Sequence, residues 1–196
     1  MKTLMLAAIL AISVATPSVA ATAPAVTVDE AAALAPGGYV WRDTGSTARL
    51  SVVVSLPDQR AYVYRGSELV AVSTVSTGKL GHDTPVGSYP VLQKAAVHKS
   101  SLYDDASMPF MQRLTWDGVA IHAGANPGFP ASHGCVRVPT AFARKLFAAT
   151  RIGTAVTVVD ASIDGAPVDL APSAPIETQQ ETASANADQL AAIPAR

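Results

Sequence analysis

Short apolar runs rich in valine and tyrosine dominate the middle of the chain. Arg49–Leu56 is rich in valine, Ala61–Arg65 places two tyrosines on one face, and Leu69–Ser76 follows a Gly-Ser-Glu turn. Runs of this length and composition predict β-strands, and the tight turns between them predict a meander. The same pattern predicts further strands near Ser88–Gln93, Gly118–Ala123 and Thr154–Asp160.

One helix and one long loop complete the predicted domain. Pro139 stands at a first-turn position, and Phe142 and Leu146 recur at helical spacing, so a helix is expected at about residues 139–150. Residues 95–117 show no clear period and are expected to form a long loop over the sheet, of the kind that often serves as a lid. The expected fold is mainly β, a sandwich or mixed sheet with one packed helix.

The start of the chain differs from this middle part. Lys2 precedes an apolar run from Leu4 to Ala15, and Pro17 and small residues lead up to Ala20. This order is typical of a secretory signal peptide, residues 1–20, and the apolar run is too short for a stable membrane span. We therefore expect an exported protein, periplasmic or secreted, with an uncleaved anchor as the alternative.

The other boundaries follow from composition. Residues 161–196 are dominated by Ala, Pro, Ser, Gln and acidic residues, which predicts a disordered Ala/Pro-rich acidic tail. Residues 21–47 are expected to be a linker, in which Tyr39–Trp41 is able to pack on the domain. The folded domain is expected at 48–160, where 11 Lys and Arg stand against 7 Asp and Glu. This mild positive excess is compatible with an acidic polymer as substrate.

Charge and cysteine content exclude two classes of protein. A formal charge of −1 with 15% charged residues argues against a polybasic nucleic-acid arm. The single cysteine, Cys135, excludes an intrachain disulfide framework and a multi-thiolate metal site.

A short segment around Cys135, AIHAGANPGFPASHGCVRVP, carries the candidate chemistry. Gly, Pro and Asn residues between His122 and His133 form a loop that is able to return His122 to the thiol. A free thiol is mostly protonated at neutral pH, and a neighbouring imidazole can take its proton and later give it to a leaving amine. Gly134 lets successive main-chain N–H groups converge as an oxyanion hole, and Arg137 is suited to a carboxylate.

These residues resemble a known family. The segment is similar to the L,D-transpeptidase catalytic domain, the YkuD/ErfK family of bacterial cell-wall enzymes. The matching positions are His122, Gly124, Ser132, His133, Gly134, Cys135 and Arg137. The resemblance covers about residues 49–159 and includes Val53–Gln59, Val75–Gly78 and Thr84–Tyr89.

The resemblance implies a role for each matching residue. Cys135 is the implied nucleophile and His122 the implied general base and acid. The residue after this base, often polar in relatives, is Ala123, so only its main-chain carbonyl is able to orient the imidazole. The implied oxyanion-hole residues are His133, Gly134 and Cys135, and the implied substrate-binding residues are Arg137, Ser132 and Gly124. The long loop is expected over the active-site cleft, and no metal or cofactor is implied.

The implied reaction is acyl transfer on peptidoglycan stem peptides. The thiolate attacks the carbonyl of the third stem residue, usually meso-diaminopimelate, and expels the terminal D-alanine. An amine of a neighbouring stem then resolves the thioester into a 3→3 cross-link. Water, a free D-amino acid or the lysine of an envelope lipoprotein are alternative acceptors. The resemblance also implies acylation of the thiol by carbapenems.

Other functions stay open on the sequence alone. Water as acceptor makes the protein an L,D-carboxypeptidase. A different exported thiol hydrolase and a non-catalytic cell-wall-binding domain of the same fold are further alternatives. Papain-like enzymes place Cys before His, the reverse of His122 and Cys135, and sortases separate the pair more widely.

Several of these residues also have structural interpretations. A zinc site at His122, His133 and Cys135 is possible, although no carboxylate or further His lies at ligand spacing. A salt bridge to the long loop is the alternative for Arg137. Surface positions in loops are expected for His82 and His98. Packing in the core or lid is expected for Met108, Phe110, Met111 and Trp116.

Overall fold

The computed structural model describes residues 23–42, 44–100 and 105–163. The helices are α1 Val28–Ala32 and α2 Thr140–Ala149, and the strands are β1 Tyr39–Trp41, β2 Leu50–Ser55, β3 Arg60–Arg65, β4 Glu68–Thr74, β5 Gly87–Pro90, β6 Gln93–Ala95, β7 Met111–Arg113, β8 Ala120–Ala123, β9 Val136–Val138 and β10 Ala155–Val159. The predicted signal peptide and nearly all of the predicted tail lie outside the described residues. In the part that is described, no helix is long and apolar enough to cross a membrane.

The larger sheet contains the predicted meander. Its strand order is β1-β4-β3-β2-β10-β5, in which β2, β3 and β4 pair antiparallel and β10 returns parallel to β2. Gly66, with φ of +59°, makes the turn between β3 and β4. Both faces of β2 are buried, because Val52 and Val54 face the main core and Val53 faces a second cluster beside α1. The continuous β-branched run therefore reflects a strand covered on both sides.

The smaller sheet carries the candidate segment. Its order is β6-β7-β8-β9, and β8 and β9 pair in parallel. Ile121 of β8 and Val136 and Val138 of β9 belong to the main core, which also contains Phe142 and Leu146 of α2. These core residues alternate along β8 and β9 with the candidate site residues. Core packing thus fixes which face of the sheet the site occupies.

A lysine from the smaller sheet closes the C-terminus of α2. Lys94 Nζ donates to the carbonyl oxygens of Phe147 and Thr150, both at 2.6 Å, and lies 4.4 Å from the Phe147 ring centroid. Carbonyl oxygens at a helix end have run out of intrahelical donors, so the ammonium satisfies them.

Lys94→Met is expected to lower the free energy of unfolding by about 1–3 kcal/mol in urea denaturation, since two charge-assisted hydrogen bonds are lost. The matched control is Lys145→Met on the exposed face of α2, which is expected to change it by less than about 0.5 kcal/mol. Equal effects of the two substitutions would contradict the capping role.

The segment 21–47, expected to be a linker, instead contributes two elements to the fold. α1 begins with a capping box, and β1 is the edge strand of the larger sheet, paired antiparallel with β4. The rings of Tyr39 and Trp41 lie 5.8 and 5.6 Å from the ring of Phe142 on α2. Packing against α2 orders this segment, and composition alone does not reveal such a long-range partner.

The long loop 95–117 is less irregular than expected. It contains the end of β6 and all of β7, and β9 was also not predicted from the sequence. Each of these strands has only 3 residues, which is too short for a period-two pattern to appear. The mainly β architecture and the position of the packed helix agree with the prediction.

Candidate active site

The parallel pair β8–β9 brings the candidate residues together. Its register sets His122 opposite Arg137, and Cys135 lies two residues before Arg137, directly ahead of β9. Side chains alternate along extended chain, so His122, Cys135 and Arg137 share one face of the sheet. Ile121 and Val136 turn to the opposite face, in the main core.

The thiol of Cys135 is half-buried and has defined neighbours. Its Sγ donates to the carbonyl oxygen of Gly118 at 3.4 Å. The side chain packs against Met108, Met111 and Ala120, a small apolar cluster at the start of β8. The sulfur is therefore held beside the strand that carries His122.

His122 is buried and held in one orientation. Its Nδ1 lies 2.8 Å from the carbonyl oxygen of Ala123, as expected from the sequence. A carbonyl only accepts hydrogen bonds, so Nδ1 carries the proton and Nε2 is the basic nitrogen of the neutral ring. Burial lowers the pKa of His122, the Ala123 carbonyl opposes this, and the charges of Arg137 and His98 lower the pKa further.

The pKa of the Cys135 thiol is raised, whereas the pKa of His122 is lowered. Burial raises the pKa of Cys135, while the main-chain amide of Ala120 and the charges of Arg137 and Arg113 oppose the rise. Both directions favour the uncharged form of the group, the thiol of Cys135 and the neutral imidazole of His122. His122 can accept a proton and Cys135 can supply one.

Ser132 shapes the turn that precedes the thiol. Its Oγ donates to the carbonyl oxygen of Cys135 at 2.5 Å and accepts from the N–H of Gly134 at 3.1 Å. The φ of Gly134, +109°, is a conformation that favours glycine. The N–H of Gly134, expected in the oxyanion hole, therefore already donates a hydrogen bond to Ser132. Ser132 itself, expected to bind substrate, is only 1% exposed.

A second loop supports this turn. Thr84 Oγ1 accepts from the N–H of Gly78 and donates to the carbonyl oxygen of Gly134, both at 2.9 Å. A Cβ on Gly78 would lie 2.0 Å from the carbonyl oxygen of His82, so only glycine fits there. Thr84 is not among the residues predicted for the site, and its place in a glycine-rich loop is the signal that the sequence offers.

Gly124 leaves room for the side chain of Arg137. A Cβ on Gly124 would lie 3.1 Å from Cγ and 3.2 Å from Cδ of Arg137. The main chain of Arg137 pairs with that of Ser76, with N–O distances of 2.9 and 3.0 Å. Gly124, expected to bind substrate, therefore packs against the Arg137 side chain. Among residues 23–42, 44–100 and 105–163, no carboxylate forms an ion pair with Arg137.

Two histidines expected on the surface lie close to this site. The His82 ring is 4.7 Å from the ring of His133, in an edge-to-face arrangement, and both are exposed.

His98 lies on the wall of a small cavity beside the thiol, which we call the thiol-side recess. The recess is lined by His98, Ser100, Met108, Met111, Arg113, Gly118 and Ala120. The sequence could not show that these loops converge on one place.

The zinc alternative requires a group of three ligands. In the part of the chain that the structure describes, no three His, Cys, Asp or Glu side chains lie close enough together to hold a metal ion.

Comparisons with known proteins identify a family and a shared fold. The model of the YkuD family, the L,D-transpeptidase catalytic domain, matches residues 49–158. An L,D-transpeptidase structure from Mycobacterium tuberculosis H37Rv is 28% identical with a TM-score of 0.52, covering 56% of this chain and 57% of that one. One from Xylanimonas cellulosilytica DSM 15894 is 27% identical with a TM-score of 0.52, covering 58% and 62%. The L,D-transpeptidase LdtMt1 in complex with imipenem is 25% identical with a TM-score of 0.51, covering 56% and 58%.

These matches have a limited extent. They span 57–62% of the length of the three relatives. No curated protein sequence matches the chain. The solved structures confirm the mainly β fold, and the family model covers more than half of the sequence. The chain therefore belongs to the YkuD family of L,D-transpeptidase catalytic domains.

Proposed function

We propose that this protein is an exported L,D-transpeptidase that acts on peptidoglycan stem peptides through a thioester on Cys135. One observation carries the proposal: the Cys135 thiol and the His122 imidazole share a face of the β8–β9 pair, with His122 Nδ1 held by Ala123. The family match supports the reaction class. The imipenem complex of a relative supports carbapenems as inhibitors.

In the first step the sulfur of Cys135 attacks the carbonyl carbon of the third stem residue. Because thiol and imidazole are both neutral at rest, Nε2 of His122 takes the thiol proton as the C–S bond forms. Negative charge develops on the carbonyl oxygen. We assign its stabilisation to the main-chain N–H of Cys135, since the N–H of Gly134 already donates to Ser132.

In the second step the C–N bond breaks, and the imidazolium of His122 gives its proton to the departing amine of D-alanine. An acceptor amine then attacks the thioester and loses a proton to the same imidazole, and the thiol is released. A neighbouring stem as acceptor gives a 3→3 cross-link. Water, a D-amino acid or an envelope lipoprotein gives a different product. The thiol, the imidazole and the substrates account for every proton and bond in these steps.

The pH dependence of kcat/KM is expected to follow His122. Because burial and positive neighbours lower the pKa of His122, the acid limb is expected below the ordinary value of 6.5. Arg137→Gln removes a positive charge, which raises the pKa of both His122 and Cys135 and moves the acid limb to higher pH. Lys145→Gln on α2 is the control and leaves the limb in place. An unmoved limb in Arg137→Gln would contradict the electrostatic role of this residue.

A product analysis tests the proposed function. The purified protein is incubated with a disaccharide-tetrapeptide, and the products are identified by mass spectrometry. Release of D-alanine together with a 3→3 linked dimer is the expected result. Release of D-alanine with tripeptide alone identifies an L,D-carboxypeptidase. Binding to isolated cell walls without any turnover would contradict an enzymatic function.

Export is the part of the proposal that rests on residues 1–20. Expression in a bacterial host followed by fractionation tests it. We expect a protein that begins at Ala21 outside the cytoplasm, because Ala20 and the residues before it fit a signal peptidase. Retention of the full-length mass in the cytoplasm would argue against export.

A further inference from the structure

Several wall residues of the thiol-side recess contact Cys135. One of its wall residues, Gly118, provides the carbonyl that accepts the hydrogen bond from Cys135. Three others, Met108, Met111 and Ala120, pack against the Cys135 side chain. A group bound in this recess is therefore one wall residue away from Cys135.

Arg113 supplies a positive charge to this recess. Its Nε donates to Oε1 of Gln93, its cross-strand partner, at 2.9 Å. Its guanidinium carbon lies 5.9 Å from the ring centroid of Trp116, which was expected to pack in the core or lid but is 74% exposed. The contact with Gln93 uses Nε, and the contact with Trp116 uses one face of the guanidinium. Neither contact uses the two Nη groups. In the part of the chain described, no carboxylate forms an ion pair with Arg113.

The recess also adjoins the proposed base. Ala120 on its wall lies on β8 two residues before His122, so the two side chains are on the same face of the strand. In the proposed reaction this imidazole protonates the nitrogen that leaves. Attack of an amine on the thioester is the reverse of that step, so the entering amine is deprotonated on the same side. Leaving and entering amines therefore both pass the recess.

We propose that Arg113 binds the α-carboxylate next to the leaving or entering nitrogen and so selects amines of α-amino acids. The terminal D-alanine carries its carboxylate one carbon from the scissile nitrogen. A free D-amino acid, and the D-centre of diaminopimelate in an acceptor stem, carry theirs in the same relation to the attacking nitrogen. A guanidinium binds such a planar carboxylate through two parallel hydrogen bonds. This assignment rests on the proposed function.

The donor arm of the test compares two stems that differ only at this carboxylate, a tetrapeptide ending in D-alanine and the same stem ending in D-alaninamide. We expect kcat/KM to be about 10- to 100-fold higher for the acid than for the amide. Arg113→Gln is expected to remove most of that preference. Because Arg113 also affects the pKa of the thiol, the ratio of the two donors is measured, since altered thiol reactivity changes both equally.

Two variants accompany Arg113→Gln. Arg113→Lys keeps the charge but not the paired hydrogen bonds, and an intermediate ratio is expected. Arg144→Gln on the exposed face of α2 is the matched control and is expected to keep the wild-type ratio. Thermal unfolding of each variant checks that the fold is retained.

The acceptor arm forms the thioester from one donor and offers D-methionine or D-methioninamide as the amine. Loss of the acid preference in Arg113→Gln is expected here too. If Arg113→Gln loses the acid preference in the donor arm alone, the site is supported for the leaving amine. If it loses the preference in the acceptor arm alone, the site is supported for the entering amine. A wild-type acid-to-amide ratio retained by Arg113→Gln in both arms would overturn the assignment while leaving the proposed function intact. If the wild-type protein released neither D-alanine from the acid donor nor D-alaninamide from the amide donor, the proposed function and the assignment would both be overturned.

Discussion

Replacing Cys135 by alanine is expected to reduce the release of D-alanine from a tetrapeptide stem by about 10⁵-fold or more, to the rate without enzyme. Cys135 is the one thiol of the sequence, and its sulfur lies beside the recess and on the same face as His122. In the proposed mechanism the substitution removes the atom that forms the thioester. Chromatographic measurement of released D-alanine over long incubations gives the rate.

Cys135→Ser is the companion variant for this experiment. A serine hydroxyl retains a donor for the carbonyl of Gly118 and nearly the same volume, but it is far harder to deprotonate than a thiol. We expect a folded protein with activity reduced by about 10³-fold or more. Ser67→Ala, in the exposed turn between β3 and β4, is the control and keeps full activity. Activity of Cys135→Ala within tenfold of wild type would show that another group attacks the substrate.

The second large effect is expected for His122→Gln, which should lower kcat/KM by about 10²- to 10⁴-fold at neutral pH. Burial raises the pKa of the thiol, so without a base almost no thiolate is present at neutral pH. Glutamine retains a donor for the carbonyl of Ala123 but cannot take a proton. The measurement is kcat/KM from pH 5 to pH 10.

The shape of the pH profile of kcat/KM shows whether His122 acts as a general base or only supports the fold. In His122→Gln the activity is expected to rise with pH as the thiol of Cys135 ionises by itself, and the acid limb of the wild-type protein should disappear. Persistence of the wild-type limb in the variant would contradict the assignment of His122 as general base. The midpoint of thermal unfolding serves as the check on folding.

The larger sheet and α2 were predictable because their signals are local. The valine run at Val52–Val54 and the helical spacing of Phe142 and Leu146 each lie within one element. The edge strand β1 was not predictable in this way. It is ordered by contacts of Tyr39 and Trp41 with a helix that follows about a hundred residues later in the chain.

The positions of Cys135 and His122 were predictable from motif spacing, but the roles of their neighbours were not. The spacing does not show that the hydroxyl of Ser132 accepts a hydrogen bond from the N–H of Gly134. Nor does it show that Gly124 accommodates the side chain of Arg137. These features depend on side-chain rotamers and on strand register, which a linear pattern does not contain.

The recess was the least predictable part of the site. His98 and Arg113 come from the long loop and from β7, a strand of 3 residues that gives no periodic signal. Their convergence on the thiol depends on the pairing of β7 with β8. The sequence pattern predicts Cys135 and His122 as the reacting groups, whereas the proposed role of Arg113 depends on the three-dimensional arrangement.

The most direct test of the central claim, that Cys135 is an acylatable nucleophile, is the intact mass of the protein after exposure to a carbapenem. The wild-type protein is expected to gain one adduct per chain, and the Cys135→Ala variant none. An unmodified wild-type protein that is folded and has a titratable thiol would contradict the claim. So would an adduct that persists in Cys135→Ala.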